Sequence, residues 1–307
     1  MGPTVWTPHP SLNVARGGLT GATLGGRAYA IGGFTTGFGA DLDDVEVLDT
    51  ATHRWQRVAS MPTARGNATA ESARGKVYVF GGFVGAKTVD VVEVFDPRSG
   101  RWRAGVALPG ARGGSGSEVI GDRIHLIGGF DANDVASNVV DVFDVGDQRW
   151  RQVRPMPTRR GLLQAARLGD DIYAVGGKDD SGAFLSTVER YDARADRWEP
   201  VASMTQGRGN PGVVAVNGRI YAVGGGAPEG GLRTTEVYDP GRDRWRVLEA
   251  RFAIGRGSLA AAVVRHGSHD DDRNGGVEIL AIGGFQIEDG VPVAVDRVEA
   301  LRISDRR

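Results

Sequence analysis

An arginine followed directly by glycine recurs through this sequence at intervals of 47 to 49 residues. A guanidinium group is planar, always charged, and able to make a two-pronged contact with a carboxylate or a phosphate. Several such groups around one opening would form a focused positive surface. The pattern predicts an anion-binding site. A second interpretation remains open, in which each arginine braces its own repeat by pairing with a carboxylate or a carbonyl. The six residues are Arg16, Arg65, Arg112, Arg160, Arg208 and Arg256.

A second set of residues follows each Gly-Gly pair, and most of its members are aromatic. Phenylalanine rings supply flat walls on which a ligand could stack, and a lysine adds a further charge for an anion. The same rings could instead cap the hydrophobic core of each repeat. We retain five of these positions as ligand-binding candidates: Phe34, Phe83, Phe130, Lys178 and Phe285.

Two glutamates, Glu71 and Glu118, each lie six residues after one of the repeated arginines. Two carboxyl groups near one cavity can serve as a general acid and a general base. They could equally be structural partners of a neighbouring arginine or amide. Asn67 and Asn210 lie in the same region of their own repeats, and they are further candidates for ligand binding.

These residues belong to a repeat of about 48 residues that has four markers. An apolar run ending in Gly-Gly, the Arg-Gly pair, an acid within a "VEV"-type run and a tryptophan all recur six times. Within residues 65–107, "NATAES", "KVYVF", "DVVEVFD" and "RWRAGVA" each resemble a short strand, with turn-forming residues between them. Such runs predict β-strands joined by tight turns. Six four-stranded units predict an all-β fold, a six-bladed β-propeller.

The two ends of the chain are expected to complete one blade. Nine residues separate the acid from the tryptophan in five units, but the same count from Glu299 runs past the last residue. The sixth unit therefore lacks its fourth strand, while Trp6 lies in a strand-like segment with no unit of its own. We predict that residues 4–8 pair with the C-terminal unit, so that residues 1–307 form a single propeller domain.

The Gly-Gly pairs, the spaced aromatic residues and the tryptophans resemble those of the kelch family, over almost the whole chain. The resemblance implies a six-bladed propeller around a central channel, with the Arg-Gly loops and the residues after Gly-Gly at one mouth. In the kelch sensor that captures an acidic degron peptide, matching positions bind the peptide. This resemblance supports Arg65, Arg112, Arg160 and Phe83 as site residues, whereas the acids of the "VEV" runs match a structural position.

Composition excludes several classes of function. With 37 basic and 38 acidic residues, the chain lacks the basic excess expected of a nucleic-acid or membrane-surface binder. It contains no cysteine, which excludes disulfides and thiolate metal sites. The cluster around His266, His269 and Asp270–Asp272 is interpreted as a solvated loop, so no metal and no cofactor are predicted. The N-terminal residues do not resemble a secretory signal, which favours a cytoplasmic location; a processed secreted form stays open.

Three functions remain open at this stage. The first is a monomeric binding module that holds an anionic small molecule or an acidic peptide segment at the Arg/Phe mouth. The second is an enzyme similar to bacterial kelch mutarotases of sialic acid, which bind a sugar acid. The third is a kelch enzyme of specialised metabolism. An open, wet pocket around Glu71 or Glu118 would favour an enzyme, and a bulky neutral plug would favour surface binding.

Overall fold

Second strands of the repeats are apolar on both sides, and this property organises the fold. In "KVYVF" (Lys76–Phe80), Val77 and Val79 point towards the preceding blade, while Tyr78 and Phe80 point towards the next one. Strands that are buried on both faces read as continuous apolar runs. Each blade therefore contributes to two hydrophobic cores, one with each neighbour.

The computed structural model describes residues 5–36, 40–49, 52–265 and 276–303. Six four-stranded antiparallel sheets form the blades, as the repeat predicts. Blade 1 consists of Thr20–Leu24, Arg27–Ile31, Val45–Asp49 and Arg54–Arg57. Blade 2 consists of Thr69–Ala73, Lys76–Phe80, Val92–Asp96 and Arg101–Ala104. Blade 3 consists of Gly116–Ile120, Arg123–Ile127, Val140–Asp144 and Arg149–Val153.

Blades 4 to 6 follow the same plan, and the N-terminal strand belongs to blade 6. Blade 4 consists of Gln164–Leu168, Asp171–Val175, Val188–Asp192 and Arg197–Val201. Blade 5 consists of Gly212–Val216, Arg219–Val223, Thr234–Asp239 and Arg244–Arg251. Blade 6 consists of Ala260–Arg265, Val277–Ile282, Val298–Ile303 and Trp6–His9. Three small hairpins stand between second and third strands: Phe83–Val84 with Lys87–Thr88, Gly226–Ala227 with Gly230–Gly231, and Phe285–Glu288 with Val291–Ala294.

The predicted closure of the ring by the N-terminal strand is confirmed. Trp6 lies opposite Leu301, and His9 lies opposite Val298, in antiparallel register. The Trp6 ring packs 4.5 Å from the ring of Phe252, and its Nε1 donates to Thr235 Oγ1 of blade 5 at 3.2 Å. Blade 6 therefore has four paired strands, like the other five.

In blades 1 to 5, the tryptophan on the outer strand joins the blade to the linker that precedes it. Trp102 Nε1 donates to the carbonyl of Ala59 at 2.8 Å, and Trp245 Nε1 donates to that of Ala202 at 2.9 Å. The indole thus covers the apolar interface between two blades and satisfies a linker carbonyl. First strands of the blades line the central axis. Among the described residues, no helix is long and apolar enough to cross a membrane.

Candidate functional site

The repeated arginines lie inside the blades. The loop that leads into each blade carries one arginine, whose guanidinium reaches the acid in the third strand of that blade. The N–O distance is 2.7 Å for Arg16 with Glu46 and 2.9 Å for Arg160 with Glu189. The four other pairs are Arg65 with Glu93, Arg112 with Asp141, Arg208 with Glu236 and Arg256 with Glu299.

Each guanidinium also binds backbone carbonyls of its own blade. Arg208 Nη1 donates to the carbonyl of Gly224 at 2.7 Å, and Arg256 Nη1 donates to that of Gly283 at 2.9 Å. These carbonyls belong to the Gly-Gly corners. One planar group with several donors therefore ties the loop to both the corner and the third strand, which a lysine could not do.

Burial corrects the expectation of a positive mouth built from these arginines. Five of the six are 0% exposed and Arg112 is 6% exposed, so their guanidinium groups offer no surface to a ligand. Burial lowers the pKa of Arg112, Arg160 and Arg256 to about 10, which leaves all three charged at neutral pH. The buried pairs correspond to the brace interpretation.

In five of the six Arg-Gly pairs, the glycine makes room for an aromatic ring of the preceding blade, whereas Gly257 lies against the backbone of Gly226. A Cβ on Gly66 would lie 2.3 Å from the Phe34 ring, and one on Gly113 would lie 2.2 Å from the Phe83 ring. No side chain fits there without displacing the ring. The Arg-Gly pair therefore braces one blade and receives a side chain from another.

The predicted aromatic rim is accordingly a packed layer. Phe34, Phe83 and Phe130 are 2%, 5% and 9% exposed, and Phe285 packs against their cluster while half-buried. This corrects the expectation that these rings form open stacking walls. In blade 4, where Lys178 replaces the phenylalanine, Phe184 lies against Gly209 instead. The half-buried Lys178 places its Nζ 5.5 Å from the centre of the Phe184 ring.

Asn67 and Asn210 close the channel at this same end. Blades 2 and 5 are opposite each other in a ring of six, yet Asn210 Nδ2 donates to Asn67 Oδ1 at 2.8 Å. Both residues have left-handed backbones, with φ of 46°, which asparagine adopts more readily than most residues. The pair bridges the axis here. A ligand contact by either asparagine stays a prediction.

The channel itself is a polar cavity of about 570 Å³. Glu71 and Glu118 both line it, as do Ser117, Gln164 and Arg167, all from blades 2 to 4. Ser117 Oγ donates to Glu71 Oε1 at 2.6 Å. The lining from blades 5, 6 and 1 is mainly small or apolar, and it includes Gly21, Ala22, Gly212, Val214, Ala261 and Val263. The channel thus has one hydrogen-bonding side and one side suited to C–H groups.

The carboxyl pair holds its protons unusually well. Burial, together with the smaller effect of the nearby Glu118 carboxylate, raises the pKa of Glu71 to about 8. Burial also raises the pKa of Glu118 to about 7. The hydrogen bond from Ser117 opposes the shift at Glu71, and the charge of Arg167 opposes both shifts. At neutral pH the pair therefore contains both a protonated and an ionisable carboxyl, as acid–base catalysis requires.

Charge is divided between the two faces of the propeller. On the face of the tight turns between first and second strands, Arg167 and Arg265 line the channel. We counted each of these turns together with the two residues before it and the one residue after it. Among the described residues, this set contains seven bases and three acids. They are Arg27, Arg74, Lys76, Arg123, Arg167, Arg219 and Arg265, against Asp122, Asp170 and Asp171. These turns therefore hold an excess of basic side chains. Lys76, Arg123 and Arg219 pair with acids of their own blades, whereas Arg167 and Arg265 line the channel.

The described residues contain no group of three or more His, Cys, Asp or Glu side chains arranged to hold a metal. The cluster at His266, His269 and Asp270–Asp272 lies outside the described residues.

Sequence reasoning placed Glu71 and Glu118 beside the channel but did not single out the two arginines that line it. Arg167 and Arg265 lack the Arg-Gly marker, and their signal was their place at the ends of first strands. The contact between Asn67 and Asn210 joins residues 143 positions apart, and only the ring geometry brings them together.

Four-stranded blades, a Gly-Gly corner after each second strand and a tryptophan on each outer strand define a kelch-type propeller. A family model described as the KLHDC2/KLHL20/DRC7 Kelch-repeats domain matches residues 6–158, and a Kelch motif model matches residues 159–205 and 207–249. The chain therefore belongs to the kelch-repeat family.

Among solved structures, the chain is similar to one titled "Structure of YjhT". The two share 17% sequence identity with a TM-score of 0.79, over 97% of this chain and 98% of that chain. A likeness at this level of identity bears on the fold alone. No curated protein matches the chain.

Proposed function

We propose that this propeller binds a small, hydroxyl-bearing anion in its central channel, which the ligand enters from the face of the tight turns. The observation that carries the proposal is the position of Glu71 and Glu118 in an open polar channel whose other end is bridged by Asn67 and Asn210. The anionic character of the ligand, first expected from the Arg-Gly residues, is supported instead by Arg167, Arg265 and the basic turns.

The two sides of the channel suit a ring with hydroxyl groups on its edge. Ser117, Gln164 and the glutamates offer both donors and acceptors, because one carboxyl keeps its proton at neutral pH. The small and apolar side can pack against the C–H face of such a ring. An anionic substituent would lie towards the mouth, near Arg167 and Arg265, and away from the carboxyl pair.

A second candidate function is acid–base isomerisation of a cyclic sugar acid, and the carboxyl pair favours it. The ionised glutamate would take the proton of the anomeric hydroxyl while the protonated one gives its proton to the ring oxygen. The C–O bond of the ring breaks and a carbonyl forms. The carbonyl group then rotates about the bond to the next carbon, and the same steps run in reverse. No other reactant is consumed. Positioned acid–base groups typically contribute 10²–10⁴-fold to a rate, taken as an order of magnitude.

Binding is tested by calorimetric titration with galacturonate, glucuronate and N-acetylneuraminate, beside galactose as the neutral control. At least one acid should bind, and binding should weaken as salt is raised, because exposed charges are screened over about 8 Å at physiological ionic strength. Arg167→Ala should cost about 1.5–3 kcal/mol of binding. Arg54→Ala, on an outer strand, is the matched control and should bind like wild type.

Isomerisation is tested by NMR exchange between the anomers of any acid that binds. Glu71→Gln and Glu118→Gln should each abolish enzyme-dependent exchange and keep most of the affinity, since glutamine preserves size and hydrogen bonding. If the acids bind but their anomers exchange no faster than in buffer, the protein is a binding module. If none of the acids binds, or if Arg167→Ala binds them as wild type does, the channel proposal is wrong.

A further inference from the structure

The face opposite the basic turns carries two neighbouring hairpins whose surface is both apolar and acidic. They are the hairpins of blade 5 (226–231) and blade 6 (285–294). A Cβ on Gly230 would lie 3.3 Å from Ile287 Cγ1, so the tip of one hairpin touches the side of the other. The hairpins form one surface, which we call the hairpin surface.

Large aliphatic side chains on this surface are open to solvent. Ile287 is 46% exposed and Val291 is 59% exposed. Ile254, at 39%, lies in the adjoining loop, where Gly255 packs against the backbone of Gly231. Isolated exposed aliphatics are ordinary on any protein, but a group of them rimmed by polar residues marks an interaction site.

The rim of the hairpin surface is acidic. Glu229, Glu288 and Asp289 stand at the hairpin tips. The basic residue nearest to them in sequence is Arg233, whose Nε donates to the carbonyl of Phe252. The excess of acid extends around the loops between second and third strands, where the described residues include twelve acids and four bases. The acids are Asp41, Asp43, Asp44, Asp90, Asp131, Asp134, Asp179, Asp180, Glu229, Glu288, Asp289 and Asp296, and the bases are Lys87, Lys178, Arg233 and Arg297.

We propose that the hairpin surface docks a basic protein segment with aliphatic side chains, which would pack on Ile254, Ile287 and Val291 while its lysines or arginines face the acidic rim. Opposite charges across an interface guide association and exclude wrong partners, and the buried aliphatics supply affinity. This surface lies on the face opposite the channel mouth, so the proposal is independent of the channel ligand.

A second copy of the chain fits the surface less well than a separate segment. The basic turns of another copy would match the charge, but none of the exposed large aliphatics among the described residues lies in those turns. Stacking of this kind is also head to tail, and it continues without closing unless the rotation between copies forms a ring.

The experiment measures fluorescence anisotropy with three labelled ten-residue peptides, built from Lys and Leu, from Lys and Ser, and from Glu and Leu. The Lys/Leu peptide should bind best, the Lys/Ser peptide at least about fivefold more weakly, and the Glu/Leu peptide not measurably. Ile287→Ser with Val291→Ser should remove the advantage of leucine over serine. Glu288→Lys with Asp289→Lys should weaken both lysine peptides by roughly tenfold.

Two matched controls locate the effect. Val84→Ser removes an exposed aliphatic from the hairpin of blade 2, and Asp170→Lys changes charge on the opposite face; both should bind the peptides like wild type. Thermal melts confirm that each variant is folded, and Glu288→Gln with Asp289→Asn replaces any lysine variant that is not.

Three results would overturn the proposal: equal binding of the Glu/Leu peptide, equal binding by the hairpin variants and wild type, or no binding of the Lys/Leu peptide. Sedimentation that reveals self-association, abolished by Glu288→Lys with Asp289→Lys, would assign the surface to a second copy and would also overturn it.

Discussion

The arginine braces and the channel glutamates are both sets of buried charges, but they are arranged in opposite ways. Every brace pairs a cation with an anion and adds backbone carbonyls, so its charges are compensated within one blade. Glu71 and Glu118 instead line one polar cavity together, and burial raises the pKa of both carboxyls. Compensated charges hold the architecture together, whereas like charges that face a cavity are the arrangement from which a ligand site is proposed.

The largest expected effect follows from breaking a brace. Arg160→Ala should lower the free energy of unfolding by about 3–5 kcal/mol, because it leaves Glu189 buried without its partner. Urea denaturation measures the change. Arg160→Met combined with Glu189→Leu removes both charges and should recover much of the loss. If the free energy of unfolding of Arg160→Ala stays within about 1 kcal/mol of the wild-type value, the fold does not need the ion pair.

The glycine of the dipeptide should matter for packing rather than for charge. Gly66→Ala places a Cβ 2.3 Å from the Phe34 ring, and overpacking of this kind costs roughly 1–3 kcal/mol. Thermal melts of Gly66→Ala, Phe34→Ala and the double variant form a cycle. The double variant should be more stable than the sum of the single losses predicts; simple additivity would mean that the two groups do not clash.

The contribution of Glu71 and Glu118 to stability should fall as pH rises, whereas that of a carboxylate in a salt bridge rises with pH. The folded pKa of Glu71, about 8, lies above the unfolded value of roughly 4.3, so the folded state holds the proton more tightly. Stability therefore falls as pH rises from about 4 to 8. Glu71→Gln should flatten this fall and gain on the order of 1 kcal/mol at pH 9, since the channel solvent screens part of the penalty. Melts across the pH range decide this, and a variant that is less stable than wild type at pH 9 contradicts it.

The smallest effect distinguishes charge from geometry at the mouth. Arg167→Lys keeps the charge but loses the planar fork, so it should recover only part of the anion affinity lost in Arg167→Ala. Lys178→Ala, on the opposite face and half-buried over Phe184, should leave channel binding within about 0.5 kcal/mol of wild type. Calorimetry with a channel ligand measures both. If Lys178→Ala loses as much anion affinity as Arg167→Ala, the anion does not bind at the mouth beside Arg167, and the proposed position is wrong.

The fold could be predicted from the sequence because its markers are periodic and each has a local cause. Gly82 has φ of 102°, a region that favours glycine, and the apolar run before it must be buried on both sides. Trp6 and the count that runs out after Glu299 were enough to predict the closing strand.

The candidate site could be predicted only in part, because residues that repeat for structural reasons look like residues that repeat around a binding site. The Arg-Gly pair repeats for packing reasons, so its regularity drew attention to residues that lie inside the blades. Glu71 and Glu118 were proposed from their place in the repeat, six residues after an arginine, and a role in a site stays a prediction. Whether a charged side chain is paired or faces a cavity depends on contacts across the ring, such as that between Ser117 and Glu71, and no local pattern encodes such contacts.

Closure by the N-terminal strand gives the molecule an unusual order of assembly. Thr7 and Ala300 are hydrogen-bonded although 293 positions separate them in the sequence. During synthesis at about 5–20 residues per second, the strand Trp6–His9 must wait roughly 15–60 s for its partner strand. Throughout that time the first five blades can pair internally while the ring stays open at one seam. Trp6 therefore lacks its partner strand until Val298–Ile303 has been made, and a chain that stalls before that strand holds five blades that cannot close into a ring.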